Sequence, residues 1–138
     1  VYRDAADPNA PPPPEQPAPD DAQWTRTINP DPVLLFRYSA LTFNGHRIHY
    51  DLPYVTHDEG YPGLIVHGPL IATLLMDLCR RERPETPLAT FSYRAMSPVF
   101  DIGPFSVNGT PNEDGSANLW ATTNAGGLAM QAEATFQA

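Results

Sequence analysis

The stretch "PLIATLLMDLCRRER", Pro69–Arg83, decides the fold. Ile71, Leu74, Leu75 and Leu78 fall at i, i+3, i+4 and i+7, so they form one apolar stripe at helical spacing. Pro69 sits where a first-turn proline is tolerated, because the amide it lacks has no partner inside a helix anyway. Arg80, Arg81 and Arg83 gather at the C-terminal end, where the macrodipole favours cations, and Pro84 stops the helix. The period changes downstream. In "LATFSYRAM", Ala89, Phe91, Tyr93 and Ala95 alternate with Thr90, Ser92 and Arg94. "GPFSVNGT" and "NLWATTN" repeat the pattern through Phe105, Val107, Leu119 and Ala121. "LAMQAEATFQA" places Met130, Ala132, Ala134 and Phe136 on one face and Gln131, Glu133, Thr135 and Gln137 on the other. These read as antiparallel strands with one wet face. One long apolar helix followed by a meander that wraps it predicts an α+β domain.

Upstream, "QWTRTIN" alternates as a short strand and "PDP" breaks it. "VLLFRYSALTF" suits a short helix. "NGHRIH" reads as a loop or tight turn in which Gly45 takes positive φ, and one helical turn is expected near Leu52 to Val55. Prolines crowd Asp4–Ala22 and favour extended polyproline II, so residues 1–22 are expected to be a linker or tail and residues 23–138 the domain. The opening "VYR" reads like the end of a strand. It predicts that the chain is a piece of a longer polypeptide or half of a processed one.

The 138 residues carry a net charge of −8, which argues against a general nucleic-acid binder. No apolar run reaches membrane-spanning length. A single cysteine, Cys79, excludes an internal disulfide and a multi-cysteine metal site, and a reduced, cytoplasmic setting is expected. Cys79 lies mid-helix without a paired base and is expected to pack.

The chemistry gathers in "FNGHRIHYD", Phe43–Asp51, and in "YPGLIVHGPL", Tyr61–Leu70. Histidine titrates near neutrality, so one ring can pass protons both ways. His49 is the candidate base. Asn44 can hold a water by hydrogen bonding. Asp51 or Tyr50 is expected to orient an imidazole. Gly68, ahead of a helix starting at Pro69, offers a backbone amide to a developing oxyanion. His46, His49, Asp51 and His57 form a weak metal-ligand alternative.

The segments "RYSALTFNGHRIHYD" and "EGYPGLIVHGPLIATLLMDL" resemble MaoC-like, R-hydratase-type hot-dog proteins. More narrowly, they resemble the branch of FAS1-type dehydratases and mesaconyl- or itaconyl-CoA hydratases. The resemblance is close over about Pro32 to Leu78 and less specific in the strands beyond. It implies a central helix wrapped by an antiparallel sheet, paired with a second hot dog, either as a homodimer or as a separate N-terminal half. In two-domain members the motif-bearing half is the C-terminal one. The family motif runs Asp, any residue, Asn, Pro, aliphatic, His. On this chain those positions hold Asn44, His46, Arg47, Ile48 and His49, so an amide stands where a carboxylate is usual. The resemblance implies a hydratase, a carbon–oxygen lyase, acting on an enoyl-CoA with a short branched dicarboxylic acyl group. Tyr38, His46, Arg47 and His67 would contact substrate, coenzyme A would be part of the substrate, and neither a metal nor a redox cofactor would be needed. Arg47, Arg80, Arg81 and Arg83 are candidates for the coenzyme A phosphates. A thioesterase using Asp51 or Asp58, and a non-catalytic acyl-CoA-binding half, remain as alternatives.

Overall fold

Helix α2, Gly68–Glu82, forms one residue earlier than the stripe alone predicts, and it buries Leu70, Ile71, Ala72, Leu75, Leu78 and Cys79. The computed structural model describes residues 9–138. Ahead of α2 come β1 (Trp24–Ile28), α1 (Pro32–Thr42), a 3-10 turn at Arg47–His49 and a π-helical turn at Tyr54–Asp58. After it come β2 (Leu88–Ala95), β3 (Phe105–Pro111), β4 (Ala117–Thr122) and β5 (Leu128–Phe136). The five strands form one antiparallel sheet in the order β1-β3-β4-β5-β2. This is the expected α+β, hot-dog arrangement, with α2 against the middle of the sheet.

The core lies between them. Leu75, Leu78 and Cys79 of α2 join Phe105, Val107, Leu119, Ala121, Met130, Ala132 and Ala134 of the sheet. Full burial of Leu75 alone contributes roughly 1.5–3 kcal/mol. The alternation in β5 appears as read, since Met130, Ala132 and Ala134 are buried while Gln131, Glu133 and Thr135 are exposed. β2 departs from the one-wet-face pattern. It forms a sheet edge, and Tyr93 and Ala95 are exposed together with Ser92 and Arg94. Burial extends to the far face elsewhere. Trp120 and Leu128 are buried outside the main core. They line a cavity of about 640 Å³ that Pro19 and Asp21 border.

The proline-rich segment reaches the sheet through backbone and side-chain bonds. Leu128 N donates to Gln16 O (2.8 Å), and Thr123 Oγ1 donates to Glu15 Oε2 (2.7 Å). Thr110 Oγ1 donates to Asp21 O (3.2 Å). Gly127 lies directly under this crossing, where a Cβ would meet Glu15 and the Gln16 carbonyl.

The arginines at the end of α2 are engaged within the fold. Asp77 holds Arg80, Arg81 and Arg26, and so ties the helix to β1. Arg83 donates to Gly115 O (2.6 Å) and sits 4.5 Å from the centre of the Phe136 ring. Cys79 is fully buried, and burial pushes its thiol up to about 11, so it stays protonated and packs.

Helix α1 starts on Asp31, whose carboxylate accepts from Leu34 N (2.7 Å), and it ends by an unexpected route. Phe43, not Gly45, takes the left-handed conformation, with φ +53°. The helix stops at Thr42, so the reversal falls at Phe43, whose exposed ring meets no obstacle. Asn44 N then donates to Ser39 O (2.9 Å). A non-glycine residue in this region costs on the order of 1–3 kcal/mol and tends to mark functional loops. Here it sets the direction in which the chain leaves for Asn44.

Candidate active site

The 3-10 turn after α1 carries His49 inward. His49 is 6% exposed, and Ile65 N donates to Ile48 O (3.0 Å), which fastens the turn to the segment entering α2. The His49 Nδ1 lies 2.7 Å from the carbonyl oxygen of Ile65. A carbonyl can only accept, so Nδ1 carries the hydrogen and Nε2 keeps its lone pair. That tautomer is the one a general base needs. Burial pulls the His49 pKa below the ordinary value of 6.5, opposed by the Ile65 bond and assisted by the charge of His46. His49 is therefore neutral at pH 7.

His67 lies face to face with His49, with ring centres 3.7 Å apart and planes 17° from parallel. The Tyr38 ring meets it edge-on at 4.7 Å. The Ser39 Oγ is 2.8 Å from His67 Nε2, and His67 is 1% exposed. Its Nδ1 is buried with no hydrogen-bond partner among the described residues. Burial first, and the charge of His49 second, push the His67 pKa down to about 4. Two imidazoles stacked this closely resist carrying charge together. The backbone of His67 immediately precedes Gly68, the first residue of α2. A helix start leaves backbone N–H groups without intrahelical partners, and they face anions well. A Cβ built on Gly68 would meet nothing within 4 Å.

The Asn44 Oδ1 accepts from His46 N (3.1 Å), and its amide hydrogens have no hydrogen-bond partner among the described residues. His46 is exposed, and its ring meets His49 edge-on at 5.9 Å. Arg47 is also exposed, and it pairs with Asp51 through Nε (3.0 Å) while lying 4.1 Å above the Tyr54 ring.

The expected orienting groups do not act on an imidazole. Asp51 is spent on Arg47 and on Tyr54 N (3.1 Å), and the Tyr50 hydroxyl donates to Gly45 O (3.0 Å). The orienting group is the Ile65 carbonyl, which has no side-chain signature. Ser39 was also not anticipated, although a serine four residues after Leu35, on the buried side of α1, was a usable signal. The metal-ligand alternative is not assembled. His57 is exposed on the π-helical turn, and among the described residues no three His, Cys, Asp or Glu side chains gather to hold an ion.

The buried histidines make stability depend on pH. Both folded-state values lie below 6.5, so the unfolded chain binds protons first as pH falls. Stability is full above about pH 6.5 and declines toward pH 4. For His67 a fall from 6.5 to about 4 corresponds to about 3 kcal/mol at about 1.4 kcal/mol per unit. Urea unfolding at pH 7 and pH 4 should show this loss, and His67→Gln should remove most of it. An unchanged pH slope in that variant would place the effect elsewhere.

Comparison with known proteins places the chain in a family. The sequence model described as hydroxyacyl-thioester dehydratase type 2 matches residues 1–101. The mesaconyl-C(4)-CoA hydratase of Chloroflexus aurantiacus is 51% identical over 92% of this chain and 49% of its own length. The chain spans at most about half the length of the curated relatives it matches. The (R)-hydratase from A. caviae involved in PHA biosynthesis superposes with a TM-score of 0.66 at 22% identity, over 84% of this chain and 96% of that one. HtdX of Mycobacterium tuberculosis superposes at 0.69 with 21% identity, over 92% of this chain and 49% of that one. Those two likenesses establish the shared fold. Among the described residues no helix is long and apolar enough to cross a membrane.

Proposed function

The chain belongs to the hydroxyacyl-thioester dehydratase type 2 family, and on that premise we propose that it is the catalytic half of a hydratase. The reaction is reversible addition of water to an α,β-unsaturated acyl-CoA thioester. The observation that carries this reading is the His49 ring, held by the Ile65 carbonyl with Nε2 bare and neutral. Nε2 takes a proton from a water held by the Asn44 amide. The water oxygen bonds to Cβ, and the π electrons move toward the thioester oxygen. The Gly68 amide at the start of α2 steadies the charge that gathers there. The imidazolium then returns its proton to Cα, so the net change is one water added.

Tyr38, His46, Arg47 and His67 are assigned as the substrate contacts, and coenzyme A enters as part of the substrate. The likeness to a mesaconyl-C(4)-CoA hydratase supports a short, branched dicarboxylic acyl group. The completing partner is a second hot-dog domain, from another copy or from a separate N-terminal half. The span of at most half the relatives' length supports that, as does the exposed edge strand β2. Lone, buried Cys79 is compatible with the reducing cytoplasm.

The thioesterase alternative loses ground, because Asp51 is committed to Arg47 and the Tyr54 amide, and Asp58 is exposed. A panel of enoyl-CoA thioesters tests all the readings. Loss of the conjugated-enone absorbance without thiol release is the expected result. Thiol release would instead establish a thioesterase, and binding with neither would establish a non-catalytic half.

A further inference from the structure

We infer that Ser39 is a positioning residue: its hydroxyl holds His67, the residue before Gly68, as the Nδ1–H tautomer, so that His67 offers the thioester oxygen a neutral N–H donor. This inference rests on the hydration reading for its function but on hydrogen-bond accounting for its structure. The described partner of the buried Ser39 hydroxyl is His67 Nε2, at 2.8 Å. If the hydroxyl donates to Nε2, its hydrogen and the ring lone pair are both satisfied, and one buried group is left unmatched, Nδ1–H. If Nε2–H donates instead, two groups are left unmatched, the serine hydrogen and a bare Nδ1. Each unmatched buried group costs about 1–3 kcal/mol, so the first arrangement prevails.

The remaining donor is buried and has no protein acceptor among the described residues. A substrate oxygen that becomes anionic is the acceptor that the proposed reaction supplies. The partner's charge type matters as much as its geometry. The Ser39 hydroxyl, the edge of the Tyr38 ring and the face of His49 meet this ring, and His46 meets His49 edge-on. Among the described residues no carboxylate acts on the ring to draw a second proton onto it. A cationic His67 would lie 3.7 Å from His49 and suppress the basicity that the proposed mechanism needs. Ser39 therefore makes a donor of one histidine while its stacked neighbour, fixed by the Ile65 carbonyl, remains an acceptor. The usual Asp–His pair is replaced by two imidazoles locked in complementary tautomers.

The test is 15N NMR of the histidine-labelled protein at pH 7, where protonated and bare ring nitrogens are distinguishable, together with kinetics. Wild type should show His67 protonated at Nδ1 only. Ser39→Ala should mix the tautomers, and Ser39→Thr, which keeps the hydroxyl, should restore the single form. In Ser39→Ala, kcat should fall about tenfold with KM nearly unchanged, a part of the 10²–10³-fold typical for outright loss of an oxyanion donor. An Nε2–H form in wild type, or an unchanged tautomer in Ser39→Ala, overturns the inference. If wild type hydrates no enoyl-CoA while the tautomers behave as described, the hydratase reading fails and the Ser39 assignment to His67 stands.

Discussion

His49→Ala is expected to lower kcat for enoyl-CoA hydration by about 10²–10⁴-fold, the usual range for loss of a positioned acid–base group. The effect should lie in kcat, because in the proposed mechanism the ring exchanges protons with water and Cα and does not grip the thioester. The substitution also strips the Ile65 carbonyl of its donor, at about 1–3 kcal/mol. Circular dichroism and a melting curve therefore belong beside the kinetics. His49→Gln, which keeps polar bulk at the site, should fold better and be equally inactive. In wild type the acid limb of the pH–rate profile should fall below 6.5, because burial lowers the pKa of the group that must be neutral. Full activity in either variant would remove His49 from the mechanism.

Gly68→Ala should separate space from stability. The added Cβ meets nothing within 4 Å beyond its chain neighbours and its own helix backbone, and Gly68 does not have positive φ. Alanine there should leave the melting temperature unchanged or raise stability by about 0.4–1 kcal/mol. In the proposed mechanism the thioester lies in this open space to reach the amide at the start of α2. A methyl group in it should push the oxygen away, and displacement of about 1 Å can cost about 10²-fold in rate. The expected signature is a stable, well-folded protein with about 10²-fold lower kcat/KM. Wild-type kinetics in Gly68→Ala would mean that substrate does not approach this amide. A loss of stability would mean that the glycine serves packing.

What could be read ahead of the structure differs by range of interaction. The helical stripe around Leu75 and the two-residue alternation in β5 are local patterns, fixed by backbone geometry, and both appear where they were expected. The candidates His49, Asn44 and Gly68 stood out because their residue types are chemically distinctive. Other features depended on neighbours distant in the chain. Tyr93 looked inward by alternation and is half exposed, because β2 lies at the edge of the sheet. Trp120 looked outward and is buried beside a cavity bordered by Pro19 and Asp21.

Local pattern and residue type set the elements and the reactive groups: an apolar helix, an antiparallel sheet, two histidine-bearing segments and an asparagine in place of a carboxylate. How those groups are wired depends on contacts between distant parts of the chain. Ser39 meets His67 across 28 positions, His49 is oriented by a main-chain oxygen 16 positions away, and the two rings stack because two segments converge on the start of α2. A backbone carbonyl has the same composition at every residue, so no residue type announces which one will hold a ring. Tautomer and burial are set by where the chain folds back, and this is why two histidines alike in sequence become one ring held by a backbone carbonyl and one held by a serine hydroxyl.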